Sequence, residues 1–436
     1  MLNQLQDHIN SKLSYLKSSK LLIAISGGID SVVLTHLCHK MGLNIALAHC
    51  NFNLRGKESD ADEDFVLQLA EDLELEVFIE SFETKSFAED KNLSVQMAAR
   101  ELRYHWFSEL SEQLNFDYIL TAHHADDNLE TFFINLSRGT GLDGLLGIPV
   151  LNKNIARPLL NFSRDDIENY AKEQKLEWRE DSSNNSTKYL RNKLRHDVIP
   201  ILKEMNPQFL QNLAKTQVHL NDSKCIIDDK ISEVFDSVIT PIDDFTFSLN
   251  IKEIKKLSHA KAYMYELLKD FGFSEWEDVF NLLDAQSGKY IQTNSHRLIK
   301  DRDFLLLSEI NSDSSESINS SETDKIVETP FGTLFIDEVD AVLESQKTII
   351  YVDKNLLKFP LTIRKWEQGD VFYPLGMAGK KKVSKYFKDK KFSLLDKENT
   401  WLLCSDEAIV WVINNRADNR FRVTDNTKTI LKIEIK

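Results

Sequence analysis

Several features are scarce in this 436-residue sequence, and each absence narrows the class of protein. Cysteine occurs four times, without a CxxC pair or a zinc-ligand spacing, which favours reduced thiols in a cytoplasmic protein. No apolar run reaches the roughly 20 residues that a membrane span needs. Residues 1–20 lack the apolar core of a signal peptide. We therefore expect a cytoplasmic protein with no membrane partner.

Lysine and arginine are outnumbered by acidic residues, 54 against 69, so the formal net charge is −15. Such a balance argues against a nucleic-acid partner unless the basic residues are concentrated in one place. They are concentrated in one short segment, which contains Lys380, Lys381, Lys382, Lys385, Lys388, Lys390 and Lys391. This cluster predicts an RNA-binding surface, and the alternative is an ordinary solvated loop. Tyr386 and Phe387, which lie between these lysines, would either stack on an unpaired base or anchor the segment.

The first part of the chain alternates short apolar runs with helical periodicity. This alternation predicts an α/β fold, a doubly wound parallel sheet with helices on both faces. The predicted strands cover residues 21–26, 44–49, 76–80 and 117–121, and the predicted helices that follow cover residues 62–73, 94–114 and 126–138.

Composition divides the chain into four predicted parts. Residues 1–205 form the predicted α/β domain, and residues 206–307 form a predicted helical and α+β domain. Residues 308–326 are rich in serine and acidic side chains, which predicts a flexible linker. Residues 327–436 form a predicted small β-rich C-terminal domain that carries the lysine cluster.

A glycine turn directly follows the first predicted strand, with the sequence Ser26-Gly27-Gly28-Ile29-Asp30-Ser31. Glycine lets the backbone approach phosphate oxygens closely, and the following helix N-terminus presents N–H donors. A Walker A lysine is absent after the glycines, and the alternative is an ordinary strand-to-helix turn. The string resembles the PP-loop of the N-type ATP pyrophosphatases. That resemblance implies ATP binding by these six residues, Mg²⁺ on Asp30, and release of AMP and pyrophosphate.

A second motif, TAHHADDNLET, occupies residues 121–131 after the fourth predicted strand. Asp127 and Glu130 lie one helical turn apart and off the apolar stripe, so both are predicted to face the crevice. Two carboxylates there would bind a metal, orient a cationic amine or act as a general base. The alternative is that acidic residues favour a helix N-terminus.

The second motif, with RGTGLDG at residues 138–144, resembles the central motif of the tRNA(Ile)-lysidine synthetase family. Further similar segments are residues 49–56, 98–104, 157–159, 181–184, 191–196 and 369–370. The resemblance implies that a tRNA(Ile) with a CAU anticodon and L-lysine are the substrates. It also implies that residues 1–205 are the catalytic domain, residues 206–307 the substrate-binding domain and residues 327–436 the tRNA-binding domain. The C2 oxygen of the wobble cytidine would attack ATP, and lysine would then displace AMP.

The resemblance also implies roles for individual residues. Asp127 and Glu130 would hold or deprotonate the lysine amine, with His123 in support. His49 and Arg100 would bind ATP. Arg191 and Arg195 would lie near the α-phosphate or the tRNA backbone, unless they belong to a solvated helix face.

Two other functions stay open from the sequence, and so does the oligomeric state. One is a different PP-loop enzyme that modifies tRNA, although a thiolase would need reactive cysteines. The other is a non-catalytic protein that binds a nucleotide or RNA, which would have no need for Asp127 and Glu130. A homodimer is possible.

Overall fold

The computed structural model describes residues 1–180, 190–243, 245–310, 317–343, 346–377 and 379–436. The chain divides into two compact units, Met1–Asp228 and Asp229–Lys436. Residues 181–184, one of the family-like segments, lie outside the described residues. Within the described part, no helix combines the length and apolar content that would let it cross a membrane.

The first unit is built on one sheet with the strand order β3-β2-β1-β4-β6-β5. All neighbouring pairs are parallel except β5 and β6, which form an antiparallel edge hairpin. The strands are β1 (Leu21–Ala24), β2 (Ile45–Asn51), β3 (Val77–Ser81), β4 (Tyr118–Leu120), β5 (Leu151–Asn152) and β6 (Ile155–Ala156). The predicted parallel sheet is confirmed, and the short edge hairpin was not predicted.

Helices cover both faces of this sheet. Leu21 and Ile23 of β1 belong to one apolar core, and Leu22 between them belongs to a second core with Phe107. This alternation follows from the two-residue period of a strand. The helices of the unit are α1 (Leu2–Lys12), α2 (Ile29–Lys40), α3 (Lys57–Asp72), α4 (Thr84–Asp90), α5 (Val95–Leu114), α6 (Ala125–Arg138), α7 (Leu142–Leu145), α8 (Arg164–Gln174), α9 (Leu190–Lys193), α10 (Ile199–Met205) and the first part of α11 (Phe209–Val238), which continues past Asp228.

The strand order determines where in the first unit the functional crevice lies. Strand β1 lies between β2 and β4, so the connections that follow β1 and β4 lead away in opposite directions. Ligands of doubly wound sheets bind in the crevice at such a switch point, beyond the carboxyl ends of the strands. The glycine turn follows β1 and the TAHHADDNLET motif follows β4, so both motifs lie at this crevice.

The second unit begins with an antiparallel sheet in the order β7-β8-β11-β10-β9. Its strands are β7 (Ile239–Asp243), β8 (Thr246–Asn250), β9 (Tyr290–Gln292), β10 (His296–Asp301) and β11 (Phe304–Glu309). The helices α12 (Ile251–Lys256), α13 (Ala260–Leu268) and α14 (Trp276–Asn281) pack on it around a core that includes Leu249 and Leu305. This agrees with the α+β character predicted for the middle of the chain.

The described C-terminal part contains three further sheets, in the orders β12-β16-β19-β20-β21, β13-β14-β22-β15 and β17-β18. Its elements are β12 (Ile318–Ser320), β13 (Ile326–Thr329), β14 (Gly332–Val339), β15 (Ile349–Asp353), β16 (Leu361–Lys365), β17 (Val371–Phe372), β18 (Lys381–Lys382), α15 (Val383–Lys390), α16 (Leu394–Glu398), β19 (Trp401–Ser405), β20 (Ala408–Val412), β21 (Arg416–Ala417) and β22 (Ile430–Ile435).

One prediction for this region needs correction. The flexible linker predicted for residues 308–326 contains β12, which pairs with β16 and buries Ser320 completely. Composition failed here because an edge strand forms through backbone hydrogen bonds, which polar side chains do not prevent. Ile318 supplies an apolar contact for β12, because it packs against the core formed by the two larger C-terminal sheets. Residues 311–316 of this segment lie outside the described residues.

Candidate active site

The glycine turn after β1 has the geometry of a phosphate loop. Gly27 adopts a φ of +82°, a conformation that glycine accepts without strain. The Ser31 hydroxyl donates to the carbonyl oxygen of Gly28 at 2.9 Å and accepts from the Ser26 N–H at 3.2 Å. These bonds fold the turn over the first turn of α2, where backbone N–H groups have no partner within the helix. Ile29 is buried in the core, so it reaches the crevice only through its backbone.

Asp30, in the first turn of α2, lies at the rim of the crevice. Both of its carboxylate oxygens accept hydrogen bonds of 2.7 Å from Nη1 of Arg164 on α8. The Asp30 side chain keeps 29 % of its surface exposed, so it remains reachable from the crevice. Arg164 was not predicted, because it belongs to none of the motifs in the sequence.

His124 lies at the centre of the second motif and is almost fully buried. Its Nε2 is 3.7 Å from Oδ1 of Asp30 and 3.5 Å from Oδ2 of Asp127. The Asp127 carboxylate also accepts the backbone N–H of His124 at 3.1 Å, which caps α6. The predicted carboxylates of the two motifs therefore both approach the same ring nitrogen, Nε2 of His124.

Two histidines near the crevice have lowered pKa values. Burial lowers the pKa of His123 to about 4, although nearby Asp127 acts in the opposite direction. Burial also lowers the pKa of His49, whose Nδ1 lies 3.0 Å from the carbonyl oxygen of Ile25. Burial raises the pKa of Asp127, but the neighbouring histidines His124 and His123 outweigh it and lower the pKa overall. At neutral pH the site therefore contains a neutral His123 beside an ionised Asp127.

Glu130 occupies a different place from the predicted one. Its side chain is completely buried, and Nε of Arg195 and Nε of Arg191 contact its two oxygens at 2.6 Å and 2.9 Å. Arg195 also reaches Asp127 at 3.2 Å, and Arg191 also donates to the Thr131 hydroxyl at 2.9 Å. The predicted arginines are thus brought to the predicted carboxylates, but Glu130 is enclosed by them instead of facing the crevice.

The two motifs border one cavity of about 830 Å³ in the first unit. Its lining includes Ser26, Asp30, Ser31, His49, His123, Asp127 and Arg191. Arg100 is not among the lining residues; it is exposed, with its guanidinium 4.9 Å from the Tyr104 ring. Arg103, one helical turn further, lines the cavity and stacks on Phe52 at 5.2 Å. The position of Arg103 depends on the rotation of α5, which the sequence pattern does not specify.

The lysine cluster forms part of the C-terminal region. Val383, Tyr386 and Phe387 of α15 are buried in a core with Phe372 and Leu402. The two aromatic rings therefore anchor the helix, and they are not available to stack on a base. The lysines with exposed side chains are Lys380, Lys382, Lys385, Lys388, Lys390 and Lys391, whereas Lys381 pairs with Asp389 at 2.6 Å. We call the six exposed lysines the basic surface.

Comparison with known proteins agrees with this geometry. Residues 1–202 match the family model described as a PP-loop domain. Residues 242–310 match a TilS substrate binding domain, and residues 361–435 match a TilS substrate C-terminal domain. The chain is 41 % identical to the tRNA(Ile)-lysidine synthase of Parabacteroides distasonis, over 94 % of each chain. The chain belongs to the tRNA(Ile)-lysidine synthase family.

Other relatives in this family extend the match. The enzyme of the same name from Bacteroides thetaiotaomicron is 38 % identical over 98 % of each chain. The one from Porphyromonas gingivalis W83 is 35 % identical, covering 98 % of this chain and 96 % of that one. The predicted family is confirmed, and the PP-loop domain implies the use of ATP.

Proposed function

We propose that this protein joins lysine to C2 of the wobble cytidine of a tRNA(Ile) with a CAU anticodon. The observation that carries the proposal is the meeting of Asp30 and Asp127 at one cavity, within 3.7 Å and 3.5 Å of His124. One carboxylate belongs to a phosphate loop, and the other is ionised and half-buried. A site of this kind suits a reaction between a nucleotide and a cationic amine.

The first step is adenylation of the cytidine. The C2 oxygen attacks the α-phosphate, the bond to the β-phosphate oxygen breaks, and pyrophosphate leaves. Backbone N–H groups of the phosphate loop, with the Ser26 and Ser31 hydroxyls, hold the leaving pyrophosphate. Arg191 lines the cavity and its guanidinium is held by Glu130 at 2.9 Å, so it is placed to stabilise charge on the phosphates.

The second step is attack by lysine. Its ε-amine bonds to C2, the C2–O bond breaks, and AMP leaves with the oxygen. The ionised Asp127 binds the incoming ammonium group, and the neutral His123 is available to accept the proton that the amine loses. Glu130 supports the site by orienting Arg191 and Arg195, because its buried carboxylate is fully engaged by them.

The donor atoms at Asp30 fit a magnesium ion. Mg²⁺ binds proteins through one or two carboxylates and completes its shell with water and phosphate oxygens. Asp30 supplies such a carboxylate, and the Ser26 and Ser31 hydroxyls lie nearby at the same cavity. When bound, the ion would offset negative charge on the phosphates.

Binding of the tRNA is assigned to the C-terminal region and to Arg195. The basic surface, together with Lys381, offers positive charge against a net charge of −15. Counterion release from phosphates favours binding wherever lysines are concentrated. A homodimer and a cytoplasmic location stay predictions.

A thiolase is disfavoured by the state of three of the four cysteines, and the fourth, Cys225, is exposed on α11 and is not among the residues that line the cavity. Cys50 lines the cavity, but burial raises its pKa to about 12. Burial raises the pKa of Cys38 to about 12 and that of Cys404 to about 11. A thiol with such a pKa is a poor nucleophile, because the thiolate is the reactive form.

The proposal is tested by mass analysis of a tRNA(Ile) transcript with a CAU anticodon, incubated with the protein, ATP and lysine. We expect the mass of one lysine, less one water, to be added, with equal amounts of AMP and pyrophosphate released. A transcript with uridine at the wobble position is the matched control and should stay unmodified. Production of ADP, or no modification of the CAU transcript, would refute the proposal.

A further inference from the structure

Arg164 connects the two motifs of the active site, although it belongs to neither. Its Nη1 donates to both oxygens of Asp30 at 2.7 Å, which holds the carboxylate close to the start of α8. The pKa of Arg164 is raised: burial opposes the shift, but the charges of Asp30 and Glu168 outweigh it. The guanidinium therefore stays charged in this contact.

Arg164 is itself fixed in place. It is the first residue of α8, and its backbone N–H donates to Oδ2 of Asp126 at 2.8 Å. Its Nε donates to Glu168 at 3.0 Å, one helical turn further along α8. The preceding Ser163 caps the helix through a reciprocal pair of hydrogen bonds with Asp166. The backbone N–H and the Nε of Arg164 are therefore both held by contacts that do not involve Asp30.

The other end of this connection is anchored on α6. Asp126 lies in the first turn of α6, next to Asp127, and its side chain is only 10 % exposed. Its Oδ1 contacts Nζ of Lys203 at 2.5 Å while its Oδ2 accepts the Arg164 N–H. Arg164 therefore contacts both Asp30 in the first turn of α2 and Asp126 in the first turn of α6.

We propose that Arg164 is a positioning residue, which sets the orientation of the Asp30 carboxylate for binding of magnesium and ATP. This inference rests on the proposed function, in which Asp30 holds the metal. A partly exposed ion pair contributes little to stability, and this one is 38 % and 29 % exposed. The effect of removing Arg164 is therefore expected at the nucleotide and not in the folding of the chain.

The test compares Arg164→Gln with the wild-type protein and with Lys172→Gln. Lys172 is on the same helix, exposed, and 3.8 Å from Glu168, so its replacement removes a cation from α8 without touching Asp30. Calorimetric titration with ATP in excess MgCl₂ should show a dissociation constant raised about tenfold in Arg164→Gln, which is the scale of a lost charge-assisted contact. Lys172→Gln should bind as the wild type does, and Arg164→Lys should recover part of the affinity.

Steady-state kinetics separates positioning from general damage. In Arg164→Gln the KM for ATP should rise, while the KM values for lysine and tRNA and the melting temperature stay at the wild-type values. Unchanged ATP affinity, tighter binding of magnesium and ATP, or an equal rise in all three KM values would each overturn the inference. A wild-type protein that modifies no tRNA would instead refute the proposed function, so the two failures are distinguishable.

Discussion

At the scale of single residues, His123 offers a direct test through its titration. Burial lowers its pKa to about 4, from 6.5 for an ordinary histidine. Between these two values the unfolded chain binds a proton that the folded protein does not bind. Since the unfolded state then binds more protons, the free energy of unfolding falls as the pH is lowered from 6.5 towards 4.

The change that tests this is His123→Asn, which removes the titrating group. The variant should lose less stability than the wild type between pH 7 and pH 5, measured as the urea midpoint at each pH. Above pH 7 the two proteins should differ by a constant offset, because His123 is neutral in both states there. Parallel curves down to pH 5 would contradict the assignment of a neutral His123 with a lowered pKa.

Sequence reasoning at this scale found the charged residues but not their partners. Asp127, Glu130, Arg191 and Arg195 were all selected, yet helical periodicity could not show that Glu130 is enclosed by both arginines. The periodicity gives the face of one helix, whereas the pairing depends on where a second, distant segment packs. Arg164 was missed for the same reason: its contact with Asp30 joins residues 134 positions apart.

At the scale of elements, the phosphate loop depends on the left-handed conformation of Gly27. A Cβ added there would lie 3.4 Å from the Phe65 ring and 3.6 Å from the Arg179 side chain. Gly27→Ala should therefore destabilise the fold by about 1–2 kcal/mol, the usual cost of a left-handed residue with a side chain. It should also raise the dissociation constant of ATP, because the loop must relax away from its phosphate-binding shape.

Gly42 provides the matched control for this variant. It has a φ of +66° just beyond α2, with no atom within 4 Å of an added Cβ. Gly42→Ala should lose a similar amount of stability in urea denaturation but keep wild-type affinity for ATP in calorimetry. Equal loss of ATP affinity in both variants would show that strain alone, and not the loop, accounts for the effect.

The regular elements of the first unit were predictable because burial determines their pattern. Strand β1 reads as a continuous apolar run because both of its faces are covered, and α6 shows an apolar stripe because one face is buried. The π-helical turn Leu194–Val198 left no such signal, although it carries Arg195. Its extra residue per turn is a feature of tertiary packing and not of local preference.

At the scale of the whole molecule, the family models match residues 1–202, 242–310 and 361–435, so three parts of the chain were recognisable from sequence. The boundaries at 205, 307 and 327 stay predictions. The contrast between an acidic chain and one dense basic segment was also readable from composition. The roles of Tyr386 and Phe387 were not, because only the packing of α15 shows that both rings are buried.

The contrast between the acidic chain and its one dense basic segment predicts that tRNA affinity depends on the position of the lysines and not on net charge. Replacing Lys382, Lys385 and Lys388 with glutamate should weaken binding of the CAU transcript and flatten its salt dependence, since each lost phosphate contact lowers the slope by about 0.7–0.9. The control replaces Lys40, Lys172 and Lys175 with glutamate, an identical change in charge outside the substrate-binding and C-terminal domains. These three lysines are exposed and lie at the C-terminal ends of α2 and α8, whose N-terminal ends carry Asp30 and Arg164. Filter binding across a series of KCl concentrations should show a reduced slope for the α15 variant and a slope near the wild-type value for the control variant. Equal weakening in both would mean that long-range repulsion acts on the tRNA, and the basic surface would then have no specific role.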